Sequence, residues 1–569
     1  MTTAQRALTA PKKTIAFMMD WLDGAYQCQI LEGAREAARD RGVHLVCFAG
    51  GMLGTDARGG AHRNATFDLI TPDNVDGVIV MAGSVGNRLA TDDLLAYCER
   101  FKGLPCVSVS RELPGCSCVT VDNRAGLESA ISHLIRVHGI KSIAFLRGTE
   151  QNPEAELRYR VYRDVLAAHG LPFEEKLLCS GDFLFPSGVA AVATLYDERK
   201  LEPEAIVAAN DEMAMGVLSE LAKRGIRVPD QVAVIGFDDI DNARYTSPPL
   251  TTVKQPLHEL GREAVRLVMA EIYGSQPGER ITLHTEFIAR RSCRCFSRDL
   301  RPALNLPASR GSFEAALVER RQLLLADLAR SARGSLGMLG SGWELKLMNA
   351  FATELRGGSA SGFRSLFEET LDKLLEHDAD FNLCHDVLST LRRHMLACLG
   401  ADASARAQAE ELFHEARTLI GQVSERAQAR QRLHVTRWAS ALAETAAELT
   451  ACANFTQLSG AVARHFPGLG LDSCFVAAYP PEPGPIEFAV HYTKSGEAPR
   501  LENLPTLTRG FVRQLSEARA SEAFFVSTVF SETRVIGCVL FTLDPKRGIV
   551  CEALREFLGA ALRGMPDAN

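Results

Sequence analysis

The residue groupings whose types could carry out chemistry each lack a part that the chemistry needs. His414 and Glu415 stand side by side in a helical stretch, as a phosphoaccepting histidine and its neighbour do, but no glycine-rich nucleotide loop accompanies them. They read as solvated surface groups. Gly139-Ile-Lys-Ser142 lacks the glycine before the lysine and the upstream glycine of a phosphate-binding loop, so it reads as a turn into a strand. There is no Gly-x-Ser-x-Gly nucleophile elbow and no Gly-Gly-acidic-acidic-Phe turn of a nucleotide cyclase. Cys116-x-Cys118 and Cys293-x-Cys295 are the close cysteine pairs, and neither has the two-residue spacing or the nearby second pair of a structural zinc site. The reading is a non-enzyme with no metal and no cofactor. Binding chemistry remains. Asp238 directly follows an apolar run at 232–235, where a carboxylate either accepts hydrogen bonds from a ligand's hydroxyls or amines or caps the next turn.

The elements that must position such a group are legible from pattern. Between 14 and 290, short β-rich runs at 15–19, 43–48, 77–81, 106–109, 142–146, 205–208 and 232–235 alternate with amphipathic helical windows, the signature of βαβ units and parallel sheets. One window spans 25–41 and ends at Gly42, placed as a C-cap. That many units predicts two doubly wound lobes. From 312 to 431 the texture turns to Ala, Leu, Arg and Glu at helical period, predicting an all-helical segment; its last part, 403–449, has no proline and reads as one long helix. After 450, a helix at 455–466, strands at 473–479, 486–492, 523–529 and 535–543, and a helix at 551–562 predict a small α+β domain. A Pro-rich loop at 480–485 interrupts it.

Composition bounds the function classes. The chain of 569 residues is 46% apolar and 23% charged, the balance of a globular protein of several domains. Its 63 basic and 70 acidic side chains are mixed, giving a net charge of −7 and no basic block for a phosphate backbone. No window matches a membrane span, and the N-terminus has no apolar signal region. The expected location is the cytoplasm, where fifteen cysteines stay as thiols.

The stretch Val234-Ile-Gly-Phe-Asp-Asp-Ile-Asp-Asn-Ala-Arg-Tyr-Thr-Ser-Pro-Pro-Leu-Thr-Thr-Val-Lys-Gln-Pro256, followed by Glu259-Leu-Gly261, resembles the lactose-repressor-like family of ligand-binding domains, which are of the periplasmic-binding-protein type. Val121-Asp-Asn-Arg-Ala-Gly126, His133-Leu-Ile135, Gly181-Asp-Phe183, Ala209-Asn-Asp-Glu-Met-Ala214 and Arg290-Arg-Ser292 carry the same resemblance in the same order, over 14–297. It implies two Rossmann-like lobes with a ligand held between facing strand ends. Asp238 would then project into the cleft. Arg158 matches the family's ligand-contacting arginine, opening a helix of the second lobe and offering a planar fork of donors; Val161 stands where the family usually has glycine. Phe183 matches an aromatic that stacks on a sugar or base. Asp20, Tyr26, Gln27, Asp122 and Asn210 match ligand positions at strand-to-helix turns, where Asp122 and Asn210 also fit as caps.

Family members begin with a helix-turn-helix, whereas thirteen residues precede the first strand here, so no DNA-reading part is expected. The remainder, a helical segment at 312–435 and an α+β part at 436–569, resembles multidomain bacterial sensors with a GAF-like domain, carried by Arg291-Ser-Cys-Arg-Cys295 and Gly548-Ile-Val-Cys-Glu-Ala-Leu-Arg555. The resulting expectation is a sensor of a sugar or nucleoside, a homodimer through Leu412, Leu419, Val423, Leu433 and Trp438 of the long helix. Lobe closure would signal to a separate output protein such as a kinase, a cyclase or a DNA-binding regulator. The alternative is a transcription regulator acting on DNA through an unrecognised element or partner.

Overall fold

The computed structural model describes residues 12–55, 60–295, 306, 311–332, 339–357, 362–376, 382–479, 487–494, 512–513, 523–531, 534–542 and 548–565. The Pro-rich loop expected at 480–485 lies outside them. The chain divides into two compact units, 1–295 with 440–569, and 296–439.

In the first unit, β1 (Thr14–Met19) and β2 (His44–Ala49) are buried at every position, as parallel strands covered on both faces must be. The first-lobe sheet runs β11 (Arg280–Leu283), β5 (Ser117–Val121), β4 (Cys106–Val109), β3 (Gly77–Val80), β1, β2, all parallel. The second lobe is a parallel sheet in the order β7 (Leu178–Cys179), β6 (Ile143–Leu146), β8 (Ala205–Ala208), β9 (Ala233–Ile235). A short antiparallel pair, β10 (Thr252–Lys254) with β12 (Glu286–Ile288), completes the crossovers. The two-lobed α/β expectation agrees with this topology.

Helix α1 (Ala25–Asp40) and helix 257–272 press together backbone to backbone. A Cβ at Gly33 would fall 1.9 Å from the His258 carbonyl oxygen, and one at Gly261 would fall 1.9 Å from that of Ile30. Only glycine permits that approach on both sides.

The C-terminal strands do not form an isolated sheet. β15 (Ala523–Ser531) pairs in parallel with β2, from Ala523 opposite Leu45 to Val526 opposite Phe48, and is followed by β16 (Arg534–Thr542), β13 (Ser473–Ala478) and β14 (Glu487–Thr493), all antiparallel. The ten-stranded sheet removes a free edge from the first lobe. Side chains seal the join: Ser527 Oγ donates to the Ala49 carbonyl at 3.2 Å, and Arg63 Nη2 forks onto Glu552 at 2.7 and 2.9 Å with both groups largely buried.

In the second unit, helices 313–331, 343–355, 362–376 and 382–398 and the first part of the long helix Ala403–Ala451 share one core. Phe351 stacks on Phe413 at 4.5 Å and meets Phe363 edge-on at 5.0 Å. Leu412, Leu419 and Val423, expected to face a partner helix, pack into this core instead, because the bundle covers their stripe; Leu433 stays 58% exposed. His414 is exposed, as its solvated reading requires. Among the described residues no helix is long and apolar enough to cross a membrane, and none of the fifteen cysteines is in a disulfide.

Candidate ligand site between the lobes

Strand ends from both lobes deliver polar side chains to one buried place. On the first lobe, the chain leaves β1 at Asp20, whose carboxylate accepts from Gln27 Nε2 at 3.1 Å and Ser84 Oγ at 2.9 Å. Tyr26, in the first turn of α1, shares a 2.7 Å hydrogen bond between its hydroxyl and Ser110 Oγ. Asp20, Tyr26 and Gln27 are therefore grouped.

On the second lobe, Arg158 belongs to helix Pro153–Ala168, which starts five residues before the position expected for it. Asn152 caps this helix through hydrogen bonds from the amides of Glu154 and Ala155, and Pro153 occupies the first helical position. Arg158 thus sits in the second turn. It is buried, its Nε donates to Asn123 Oδ1 at 2.8 Å, its Nη1 to the Ala209 carbonyl at 2.7 Å, and its guanidinium lies 3.8 Å from the Phe237 ring centroid.

Asp238 takes φ 122° and Asp239 φ 58°, two successive non-glycine residues in a region that L side chains avoid. The strain is held by surrounding bonds: Asp238 N donates to the Val253 carbonyl, Gln255 Nε2 donates to Asp238 Oδ1 at 2.6 Å, and Arg290 pairs with Asp239 at 2.5 Å. Phe183, also at positive φ (70°), lays its ring where a side chain on residue 148 would stand; a Cβ on Gly148 would fall 2.2 Å from it. Its ring centroid is 6.0 Å from the Arg158 guanidinium.

The remaining two expected residues are engaged locally. Asp122 Oδ1 accepts from the amides of Arg124 and Ala125 at the start of helix Ala125–His138. Asn210 caps helix Asp211–Lys223 through the Met213 amide and donates to the Phe183 carbonyl at 3.0 Å, which ties the aromatic to the turn. Instead of Asp122, its neighbour Asn123 reaches Arg158. Glu154 is the other participant that sequence reading passed over: it is within 4.0 Å of Arg158 and accepts from Asn123 Nδ2 at 3.2 Å. Its place in the first turn after an Asn-Pro cap signalled it, but as a helix-dipole carboxylate.

The site is rich in acceptors. Burial pushes the Asp20 and Glu154 carboxyls up, against the hydrogen bonds of Ser84 and Gln27 for the first and the Arg158 charge for the second. Burial raises Asp238 to about 7; Arg158 and Gln255 oppose it, and Glu154 and Glu212 add to it. The Tyr26 hydroxyl is raised by burial and by the charges of Glu154 and Asp238. Glu154 and Asp238 beside the Arg158 guanidinium, with Asp20 buried at the end of β1, favour a guest that donates hydrogen bonds and oppose one that brings negative charge. Gln255 Oε1, also buried, has no hydrogen-bond partner among the described residues.

The lobes meet across this site. Asn152 Nδ2 of the second lobe donates to the Gly83 carbonyl at 3.1 Å and to Asn87 Oδ1 at 3.0 Å, and Arg88 pairs with Asp182 at 3.3 Å. The arrangement is that of a closed clamp.

A family profile for the periplasmic-binding-protein-like domain matches residues 131–293. The HTH-type transcriptional repressor CytR of Escherichia coli K12 is 30% identical over 286 residues, 50% of this chain and 80% of the repressor. The HTH-type transcriptional regulator CelR of Thermobifida fusca is 33% identical over 268 residues, 46% of this chain and 74% of the regulator. Among solved structures, a complex of the transcriptional regulator CelR with cellobiose is 31% identical, covering 51% of this chain and 88% of that one with a TM-score of 0.43.

Proposed function

The chain belongs to the lactose-repressor-like family through its two-lobed ligand-binding domain, and on that premise we propose that it is a transcription regulator controlled by a neutral, hydroxyl-rich small molecule, a sugar or nucleoside. The observation that carries the ligand class is the buried pair Glu154 and Asp238 beside Arg158. Such a site rewards hydroxyl and amine donors, and a phosphate would meet the Glu154 and Asp238 carboxyls. Phe183 supplies the apolar face on which a sugar ring or base rests, and Tyr26 and Gln27 close from the first lobe. Ligand shifts the clamp only because the closed state binds it more tightly. The mixed charge that set the expectation against nucleic acid is a chain average, and it does not weigh against a DNA-reading element or partner.

A second reading keeps the sensor but passes its signal to a separate output protein. What favours it is the long helix Ala403–Ala451, which leaves Leu433 58% exposed, an apolar side chain suited to a partner helix or a second copy of this chain. In that reading the α+β part is a GAF-like module that transmits lobe closure.

The test is a thermal-shift screen of neutral sugars and nucleosides beside their phosphates. A hit is then added to the full chain with DNA from upstream of its own gene, at several salt concentrations. A ligand that changes salt-dependent DNA binding supports the regulator. Ligand binding without DNA binding supports the second reading, and tight binding of the phosphates alone contradicts the ligand class.

A further inference from the structure

The Cys293-x-Cys295 pair, which by spacing alone reads as ordinary thiols, meets two histidines in space. His133 and His138, five positions apart on helix Ala125–His138, turn their Nε2 atoms to within 3.1 Å of one another. His133 Nε2 lies 3.2 Å from Cys295 Sγ and 3.9 Å from Cys293 Sγ, and His138 Nε2 lies 3.4 Å from Cys295 Sγ. All four ligand atoms fall within 4.8 Å of each other.

These separations are the edges of a small tetrahedron. Zinc held at about 2.3 Å from sulfur and about 2.0–2.1 Å from imidazole nitrogen places N and N about 3.3 Å apart and N and S about 3.6 Å apart. The backbone is shaped to converge the sulfurs. Arg294, between the cysteines, adopts φ 74°, an uncommon conformation for a non-glycine residue. Its side chain is turned away and donates to the Pro229 and Asp230 carbonyls at 3.0 and 2.9 Å, which fixes the turn. Behind the cluster, His133 packs against the Phe287 ring at 5.0 Å and Cys293 is fully buried, while His133, His138 and Cys295 stay partly exposed and leave an ion a way in.

We propose that His133, His138, Cys293 and Cys295 form a Cys2His2 site for Zn2+ that clasps the exit segment of the ligand-binding domain to the first helix of its second lobe. Two thiolates balance the charge of the ion, and all four protein ligands leave no open position, so the site is structural. The clasp holds residues 293–295, where the polypeptide leaves the two-lobed domain for the helical segment. It thereby stiffens one of the two places at which the chain passes between the compact units. The pairing was hidden in the sequence because His138 and Cys295 are 157 positions apart.

The experiment uses the full chain, purified without a metal-affinity tag from zinc-supplemented cells. Elemental analysis is expected to find about one zinc per chain. After chelation and reloading with Co2+, the absorption spectrum should show tetrahedral ligand-field bands together with thiolate charge transfer. Cys295→Ser and His138→Gln, both at partly exposed positions, should lose the zinc while keeping the far-UV circular dichroism of the wild type. Cys116→Ser with Cys118→Ser should keep it. Zinc well below one per chain together with no tetrahedral cobalt spectrum in the wild type would overturn the proposal. So would unchanged zinc in both variants, or a Cys293–Cys295 disulfide in the freshly purified protein. The cobalt spectrum of the wild type decides the question even if a variant fails to fold.

Discussion

Replacing Asp238 by Asn separates what this carboxyl does for stability from what it does for binding, because the two effects have opposite signs. Asp238 is 4% exposed and titrates at about 7, against an ordinary value of 3.8. A carboxyl raised by folding holds its proton more tightly in the folded chain. Its contribution to stability is therefore present below about pH 4 and is lost as pH rises through about 7. At about 1.4 kcal/mol per pH unit, the full difference is about 4 kcal/mol, an upper bound at pH 8. Asn carries no charge and can still accept from Gln255, so the Asp238→Asn protein should be more stable than wild type at pH 8, by about 1–3 kcal/mol, and equal to it near pH 4. Binding runs the other way. Ligand hydroxyls donating to the carboxylate lower its titration point, so wild-type affinity should rise with pH between about 5 and 7 and level off above. The variant should lose that slope and bind about ten- to a hundredfold more weakly at pH 8, the loss of a hydrogen bond to a charged group of about 1.5–3 kcal/mol. Urea melts at pH 4 and 8, and calorimetric titrations of a neutral ligand from pH 5 to 8, read both. A variant less stable than wild type at pH 8, or one with the wild-type affinity and slope, refutes the reasoning.

Asn152→Ala removes the hydrogen bonds to Gly83 and Asn87 that latch the lobes; a closed state weakened by about 1–2 kcal/mol should raise the ligand Kd about five- to thirtyfold, with a larger ligand-free radius of gyration by X-ray scattering. Glu552→Gln leaves the buried Arg63 guanidinium without its counter-charge at the join between β2 and β15. It should cost about 3–5 kcal/mol and expose the C-terminal strands to limited proteolysis, whereas the helical unit keeps its protection. On the second reading, in which the long helix pairs with another copy of the chain, Leu433→Asp should turn that dimer into a monomer by light scattering without lowering Tm, since its side chain packs into neither core.

How much of this was legible in the sequence depends on whether the signal is local. The parallel strands declare themselves as unbroken apolar runs such as that at 15–19, and the bundle as helical periodicity, because both faces of those strands and one face of each helix are buried. Asp238 was legible as a polar residue at the end of such a run. Asp122 and Asn210 show the limit of that argument: a short polar side chain before a helix satisfies free amides, and that local bond determines its direction. Glu154 and Asn123 were not legible because their importance comes from Arg158, brought to them by the fold. The join of β15 to β2 leaves no pattern of its own. A strand from 523–531 reads the same whether its neighbour is its own hairpin or, as here, a strand 478 positions earlier.

The central claim, that a hydroxyl-rich neutral molecule closes the two lobes through the Asp238 and Arg158 pair, is tested most directly by isothermal titration of the best thermal-shift hit into wild-type, Asp238→Asn and Arg158→Ala proteins at pH 8. The account predicts saturable binding of a neutral sugar or nucleoside, weakened about tenfold or more in both variants. Wild-type affinity retained in both, or tighter binding of the phosphorylated form of the same compound, would contradict it.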